Sequence, residues 1–142
     1  MGDRPPLRET GATLLAIGAG GALGGSARYA LLLLVPHGGS AFPWATLTSN
    51  IAGSFAMGVL VVLVARAARP HRLVRPFLGV GVLGGFTTFS TYAADTLGLA
   101  GAGASGTALA YLAATLVGAL AAVWAGAALT RALTDRNRGA RA

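Results

Sequence analysis

The sequence predicts an all-α integral membrane domain of four transmembrane helices, the third of them broken mid-membrane, and three observations carry that prediction. Hydrophobic residues make up 54% of the 142-residue chain and charged residues only 11%, with a mean hydropathy of +0.66, far more apolar than a soluble domain of this size. Four apolar runs are each long enough to cross a bilayer, which takes about 20 residues rising about 1.5 Å each. The third run, GVGVLGGFTTFSTYAAD over residues 79–95, interrupts its own apolar pattern with Gly84-Gly85 and then with Thr87, Thr88, Ser90 and Thr91. Adjacent glycines weaken a helix and hydroxyls satisfy freed backbone groups, and non-helical backbone survives at membrane depth only where protein buries it or water reaches it. A small-residue packing face whose Ser and Thr bond back to their own helix would use the same residues.

Taken in order, residues 1–11 form a polar arm with Asp3, Arg4, Arg8 and Glu9, expected to be disordered. The first span covers about residues 12–35 and ends at Pro36-His37-Gly38-Gly39. It is too long for a secretory signal and runs into Arg28 where a cleavage site would stand. The other spans cover about residues 44–65, 73–98 and 106–129, so residues 1–142 read as a single four-span membrane domain with short connections.

Charge orients the bundle. All eleven basic residues are arginine, against four acids, for a net charge of +7. Ten of the arginines lie before the first span, between the second and third or at the start of the third (Arg75), or after the fourth, which with four spans is one side; residues 36–43 and 99–105 on the other side contain none. The positive-inside rule then puts both termini and the middle loop in the cytoplasm of a multi-pass cell-membrane protein. The same balance is not a nucleic-acid signal in so apolar a chain. The absence of cysteine excludes disulfides and thiolate metal sites.

Within the spans, polar residues are few and placed on faces. Gly20 with Gly24, and Gly21 with Gly25, form small-xxx-small pairs suited to close helix packing. Arg28 lies about four turns into the first span, where a guanidinium either snorkels outward or lines a vestibule that draws in an anion. Asn50 shares a helix face with Thr46, Ser54 and Gly58, and Tyr111 shares one with Thr115; interhelical hydrogen bonding or a hydrated path accounts for either set. Trp44 and Trp124 sit near span ends as interfacial anchors. Two GxGxxG matches, at Gly79 and Gly101, follow no strand and carry no weight. His37 and His71 lie in loops without a metal-ligand cluster, and no serine has a histidine and a carboxylate at hand, so no enzyme activity is expected. Donors in the spans without a core carboxylate suit an anion better than a cation or a proton.

The segments GGALGGSARY, TSNIAGSFAMG and above all GVLGGFTTFSTY resemble the fluoride channel family, Fluc or CrcB, over all four spans in order. The resemblance implies a passive, fluoride-selective channel that lowers cytoplasmic fluoride, built as an antiparallel dimer with two pores. It further implies a structural Na+, not transported, held by main-chain carbonyls matching Gly84 and Thr87, aromatic rings matching Phe89 and Tyr92 along each pore, and Asn50 in fluoride coordination. Arg28 matches a vestibule arginine, and Ser90, Thr91, Tyr111 and Thr115 match polar-track positions. Tyr92 departs from the family's usual phenylalanine and brings an extra hydroxyl. The ten-to-none arginine bias departs as well, because an antiparallel homodimer needs a chain that inserts both ways; it points to a heterodimer with a paralogue of opposite bias. A small four-span multidrug or cation exporter is the alternative, but it calls for a carboxylate in the first span, where this chain has only Glu9 before it. An assembly subunit with no transport would leave the polar residues beside the break unexplained.

Overall fold

The computed structural model describes the backbone of residues 7–139 and the side chains of residues 8–136. Helix α1 runs Leu7–Leu34 and α2 Trp44–Arg66. The third span is assembled from α3, wound with wide i→i+5 hydrogen bonds over Arg75–Leu83 and continued over Gly84–Phe86, and from α4, Ser90–Gly101. Helix α5, Ser105–Gly139, is the longest. Among the described residues, four helical stretches are long and apolar enough to cross a membrane, the third being the whole of Arg75–Gly101. Large apolar residues such as Leu15, Leu34 and Trp124 are mostly exposed on the outside of the bundle, as a lipid-facing surface requires and a water-facing one forbids.

Two differences from the sequence expectation concern the ends. The arm expected to be disordered is helical from Leu7 onward, with Glu9 paired to Arg72 at 3.3 Å. Asp3 and Arg4 lie outside the described residues, as do the side chains of Arg138 and Arg141. The fourth helix continues ten residues past the expected end at 129, so about 52 Å of helix exceeds an apolar core of about 30 Å. Its extension is anchored: Arg66 at the end of α2 clasps both carboxylate oxygens of Asp135, at 2.6 and 3.2 Å, and also donates to Thr134. The arginines that orient the chain therefore also tie its helices together.

The four spans pack as two close pairs, α1 against α3 and α2 against α5, and glycine sets both seams. A Cβ on Gly20 or Gly24 would run into the backbone carbonyl of Phe77 or Val82, and one on Gly85 would stand 2.6 Å from the Gly21 carbonyl. Across the other seam Gly58 meets the Val123 carbonyl and Gly126 the Phe55 carbonyl. Of the two glycine pairs on α1, only Gly20 and Gly24 face backbone; Cβ positions at Gly21 and Gly25 point into open space. Lipid tails offer no hydrophobic drive between helices, so this backbone contact is what associates them. Gly84 and Gly85 are helical, and the helix fails only beyond Phe86. Gly85 marks close approach to α1, and the break lies two residues further on.

Adding a side chain at Gly24 therefore has no room to relax, because the obstacle is main chain. Gly24→Leu is expected to abolish a monodisperse peak in size-exclusion chromatography of the detergent-solubilised protein, whereas Gly21→Ala, with nothing within 4 Å, leaves peak and thermal midpoint unchanged.

Candidate functional site

The site grows out of the break in the third span. Thr87 is extended, at φ −82° and ψ 158°, while its N–H and hydroxyl both still reach the Leu83 carbonyl at 2.9 Å. Thr88 follows, and Asn50 of α2 clamps it from the side. The Thr88 N–H donates to Asn50 Oδ1 at 2.8 Å, and Asn50 Nδ2 donates to the Thr88 carbonyl at 3.0 Å. A buried carboxamide thus plays the part of a neighbouring strand, satisfying a donor and an acceptor that helix geometry has released. That clamp uses one of the two N–H donors of the amide.

The Thr88 hydroxyl restarts the helix. It accepts the Thr91 N–H at 3.1 Å, in the manner of an N-cap, and is linked to the hydroxyls of Thr91 at 3.1 Å and Ser90 at 3.3 Å. Two carbonyls lose their ordinary i+4 donors as a result. Gly84 would take the Thr88 N–H, now on Asn50, and Thr87 would take the Thr91 N–H, now on the Thr88 hydroxyl. A third carbonyl released near the break, that of Gly85, accepts from Arg28 Nε at 3.2 Å. Arg28 thus reaches across from α1 to the break and does not line the cavity described next.

On the far side of the break from α1, a cavity of about 380 Å³ opens between α2, the third span and α5. Asn50, Gly84, Thr87, Phe89, Tyr92 and Thr115 all line it, and its described lining includes no carboxylate. Thr115 is 5% exposed and its Oγ1, buried, has no hydrogen-bond partner. Phe89 is 80% exposed, and its ring centroid lies 5.8 Å from that of Tyr92. The extra hydroxyl of Tyr92 is not aimed at the cavity: it donates to the Leu112 carbonyl at 3.0 Å. That carbonyl is one of the two, i−3 and i−4, to which a helical Thr115 would otherwise bond back. Ser90 and Thr91 stand next to the cavity through Thr88.

One helical turn along α2 and α5 lies a group that sequence reasoning passed over. Thr46 Oγ1 donates to Asp95 Oδ2 at 2.7 Å, and the fully buried Tyr111 donates to the same oxygen at 3.3 Å. His37 Nε2 stands 3.4 Å from Asp95 Oδ1. The Tyr111 ring packs against Tyr92 at 5.4 Å and edge-on against Phe42 at 5.5 Å. The register carried a signal for this group, since Thr46 precedes Asn50 by four, Tyr111 precedes Thr115 by four, and Asp95 follows Thr91 by four.

Comparison with known proteins matches residues 15–127 to the family described as CrcB-like protein, Camphor Resistance (CrcB). The chain is 49% identical to a protein of Nocardia farcinica named Fluoride-specific ion channel FluC 2, over 94% of each chain. It is 50% identical to Fluoride-specific ion channel FluC of Rhodospirillum centenum, over 83% of this chain and 94% of the other. It is 55% identical to a Streptomyces avermitilis protein named Fluoride-specific ion channel FluC 2, over 70% of this chain and 63% of that one, so it spans less than two thirds of that relative's length.

The clamp makes a stability prediction independent of transport. Asn50→Ala leaves the Thr88 N–H and carbonyl unpaired and is expected to cost about 1–3 kcal/mol; Thr88→Ala removes the restarting cap at about 1 kcal/mol. Unfolding in detergent, followed by circular dichroism, should rank the Asn50 variant below the Thr88 variant and both below the parent.

Proposed function

Because the chain belongs to the CrcB-like family, we propose that it is a fluoride-selective channel through which cytoplasmic fluoride leaves the cell passively. The observation that carries this reading is the cavity beside the break, where a buried, partnerless Thr115 hydroxyl, the Asn50 carboxamide and the rings of Phe89 and Tyr92 meet without a carboxylate. A small, strongly hydrated anion gives up water only where hydrogen-bond donors and slightly positive ring edges replace it, in successive weak sites that still release it. Asn50 and Thr115 supply donors there, and Ser90, Thr91 and Tyr111 extend the polar track from either side. Arg28 contributes positive charge behind the break. The outward driving force is the membrane potential, about 2.3 kcal/mol per charge per 100 mV.

The channel is proposed to be an antiparallel dimer. The third span is largely uncovered within one subunit, with exposed Gly84 and Phe89 on its open side. Released carbonyls on such a face are not tolerated against lipid and call for protein or water over them. The Gly84 and Thr87 carbonyls fit a structural Na+ shared with the second subunit, since oxygen atoms of unwound backbone are the ligands such an ion takes. The ion would neutralise carbonyl dipoles and hold the breaks of two subunits together, and it is not transported. The ten-to-none arginine bias favours one orientation, with both termini in the cytoplasm. The partner is then a paralogue of opposite bias, and relatives named FluC 1 and FluC 2 both occur in Streptomyces species. The exporter alternative gains nothing: Glu9, its one candidate carboxylate on α1, is exposed and paired with Arg72.

Fluoride efflux from liposomes, read with an electrode and with chloride as control, tests the function. Efflux selective for fluoride is expected from the protein alone or, given the charge bias, with the paralogue co-expressed; silence in both preparations would overturn the reading. Asn50→Asp, which places negative charge beside the path, is expected to slow efflux by roughly a hundredfold or more.

Thr115→Val separates pathway from packing. Its hydroxyl bonds to nothing, so the isosteric variant should be at least as stable as the parent, while losing a hydrogen bond to the anion should cut fluoride flux about tenfold.

A further inference from the structure

The group around Asp95 has a histidine in it that the fluoride reading does not use. The loop after α1 turns at Gly39, whose φ of 61° suits glycine alone, and the Ala41 N–H closes the turn on the Gly38 carbonyl at 3.2 Å. This turn lays His37 over Asp95, and the two line a small polar cavity of about 240 Å³ at the arginine-free end of the bundle. The carboxylate oxygens are divided between partners. Oδ2 accepts from Thr46 and Tyr111, and Oδ1 faces His37 Nε2 at 3.4 Å. The side chains are 23% and 13% exposed, so protons reach the pair while water screens it only in part.

We propose that His37 is a proton-responsive residue at the outer mouth of the fluoride path. Neutral, its imidazole leaves the charge of Asp95 uncompensated, a net negative charge at the mouth which opposes an anion. Protonated, it forms an ion pair with Asp95, the charge of the mouth falls to zero, and fluoride passes more freely. Thr46 and Tyr111, which both donate to Asp95, lie one helical turn, about 5.4 Å, from Asn50 along α2 and from Thr115 along α5, a spacing comparable to the screening length of about 8 Å at physiological salt. Histidine changes charge between about pH 5 and 8. The groups facing the pair are few: Asp95 from α4, the hydroxyl of Thr46 from α2, and the phenol of Tyr111 from α5 with Tyr92 packed behind it. Among the described residues lining this cavity, no other carries a charge. This role rests on the fluoride reading.

The test is fluoride efflux from liposomes at about pH 5.5 and about pH 8, with the leak of protein-free vesicles subtracted. The parent should conduct about three- to tenfold faster at acid pH, the range expected of one unit charge acting through a hydrated mouth. His37→Gln should be slow at both pH values and His37→Arg fast at both. If His37→Gln keeps the acid enhancement, or if His37→Arg is no faster than His37→Gln at pH 8, the role is overturned. Nitrogen NMR of His37 in a His71→Gln background reads the pair without transport, since the chain has two histidines. There the His37 ring nitrogen resonances should change on Asp95→Asn, and identical resonances would overturn the pair. An intact resonance difference without fluoride efflux from any variant would instead overturn the fluoride reading, and this role with it.

Discussion

A backbone polar group inside a membrane must find a partner, and the pairing of Asn50 with Thr88 is where this fold meets that constraint. A helix that ran on through residues 87–89 would satisfy itself and present a closed apolar cylinder to its neighbours. Breaking it releases N–H and carbonyl groups in the middle of an apolar span. Asn50 takes one pair at 2.8 and 3.0 Å, the Thr88 hydroxyl takes the N–H that restarts α4, and Arg28 takes the Gly85 carbonyl. Each partner comes from a different element, so the break holds α1, α2 and the third span in register with one another.

That arrangement explains why the two helix pairs are built from glycine. Asn50 reaches Thr88 only if α2 is held in place, and α2 is held by backbone-to-backbone contact with α5 at Gly58 and Gly126. Arg28 reaches Gly85 only if α1 lies against α3, which Gly20, Gly24 and Gly85 permit. Small residues fix the distances and polar residues use them. The same α1 seam closes one face of the third span, so the cavity opens on the other face, toward α2 and α5.

The class, the four spans and the sidedness of charge were legible because each depends on a property summed over many residues. The polar stretch of the third span was legible because hydroxyls and glycines inside an apolar run break a strong pattern. What local reasoning misplaced was the cause: Gly84 and Gly85 look like helix breakers, yet both are helical, and Gly85 is small because the Gly21 carbonyl lies against it. That contact spans 64 positions of chain, and no local pattern reports it. Asp95 was illegible for a similar reason. Seen alone it is an acid near a span end; its partners Thr46, Tyr111 and His37 come from three other elements and meet only in the fold. The tyrosine at position 92 was legible as a departure, but its hydroxyl goes to Leu112 and not into the cavity.

Among the hydroxyls of the spans, two settings contrast. Threonine in a membrane helix ordinarily bonds back to its own main chain, and Thr13, Thr96, Thr130 and Thr134 all do so, to carbonyls four residues earlier. Such residues say nothing of an ion. Thr115 stands in the same setting, buried on a helix with carbonyls three and four residues behind it, yet its oxygen has no partner. Tyr92 occupies the Leu112 carbonyl, closing one of those two routes. A buried hydroxyl without a partner costs about 1–3 kcal/mol, which a helix avoids when it can by turning the side chain. Its persistence beside Asn50, at a cavity whose described lining includes no carboxylate, leaves an unspent donor beside the break. The carboxylate near it, Asp95, lies outside that lining with its oxygens divided among Thr46, Tyr111 and His37, so the Asn50 and Thr115 donors are not taken up by a carboxylate acceptor.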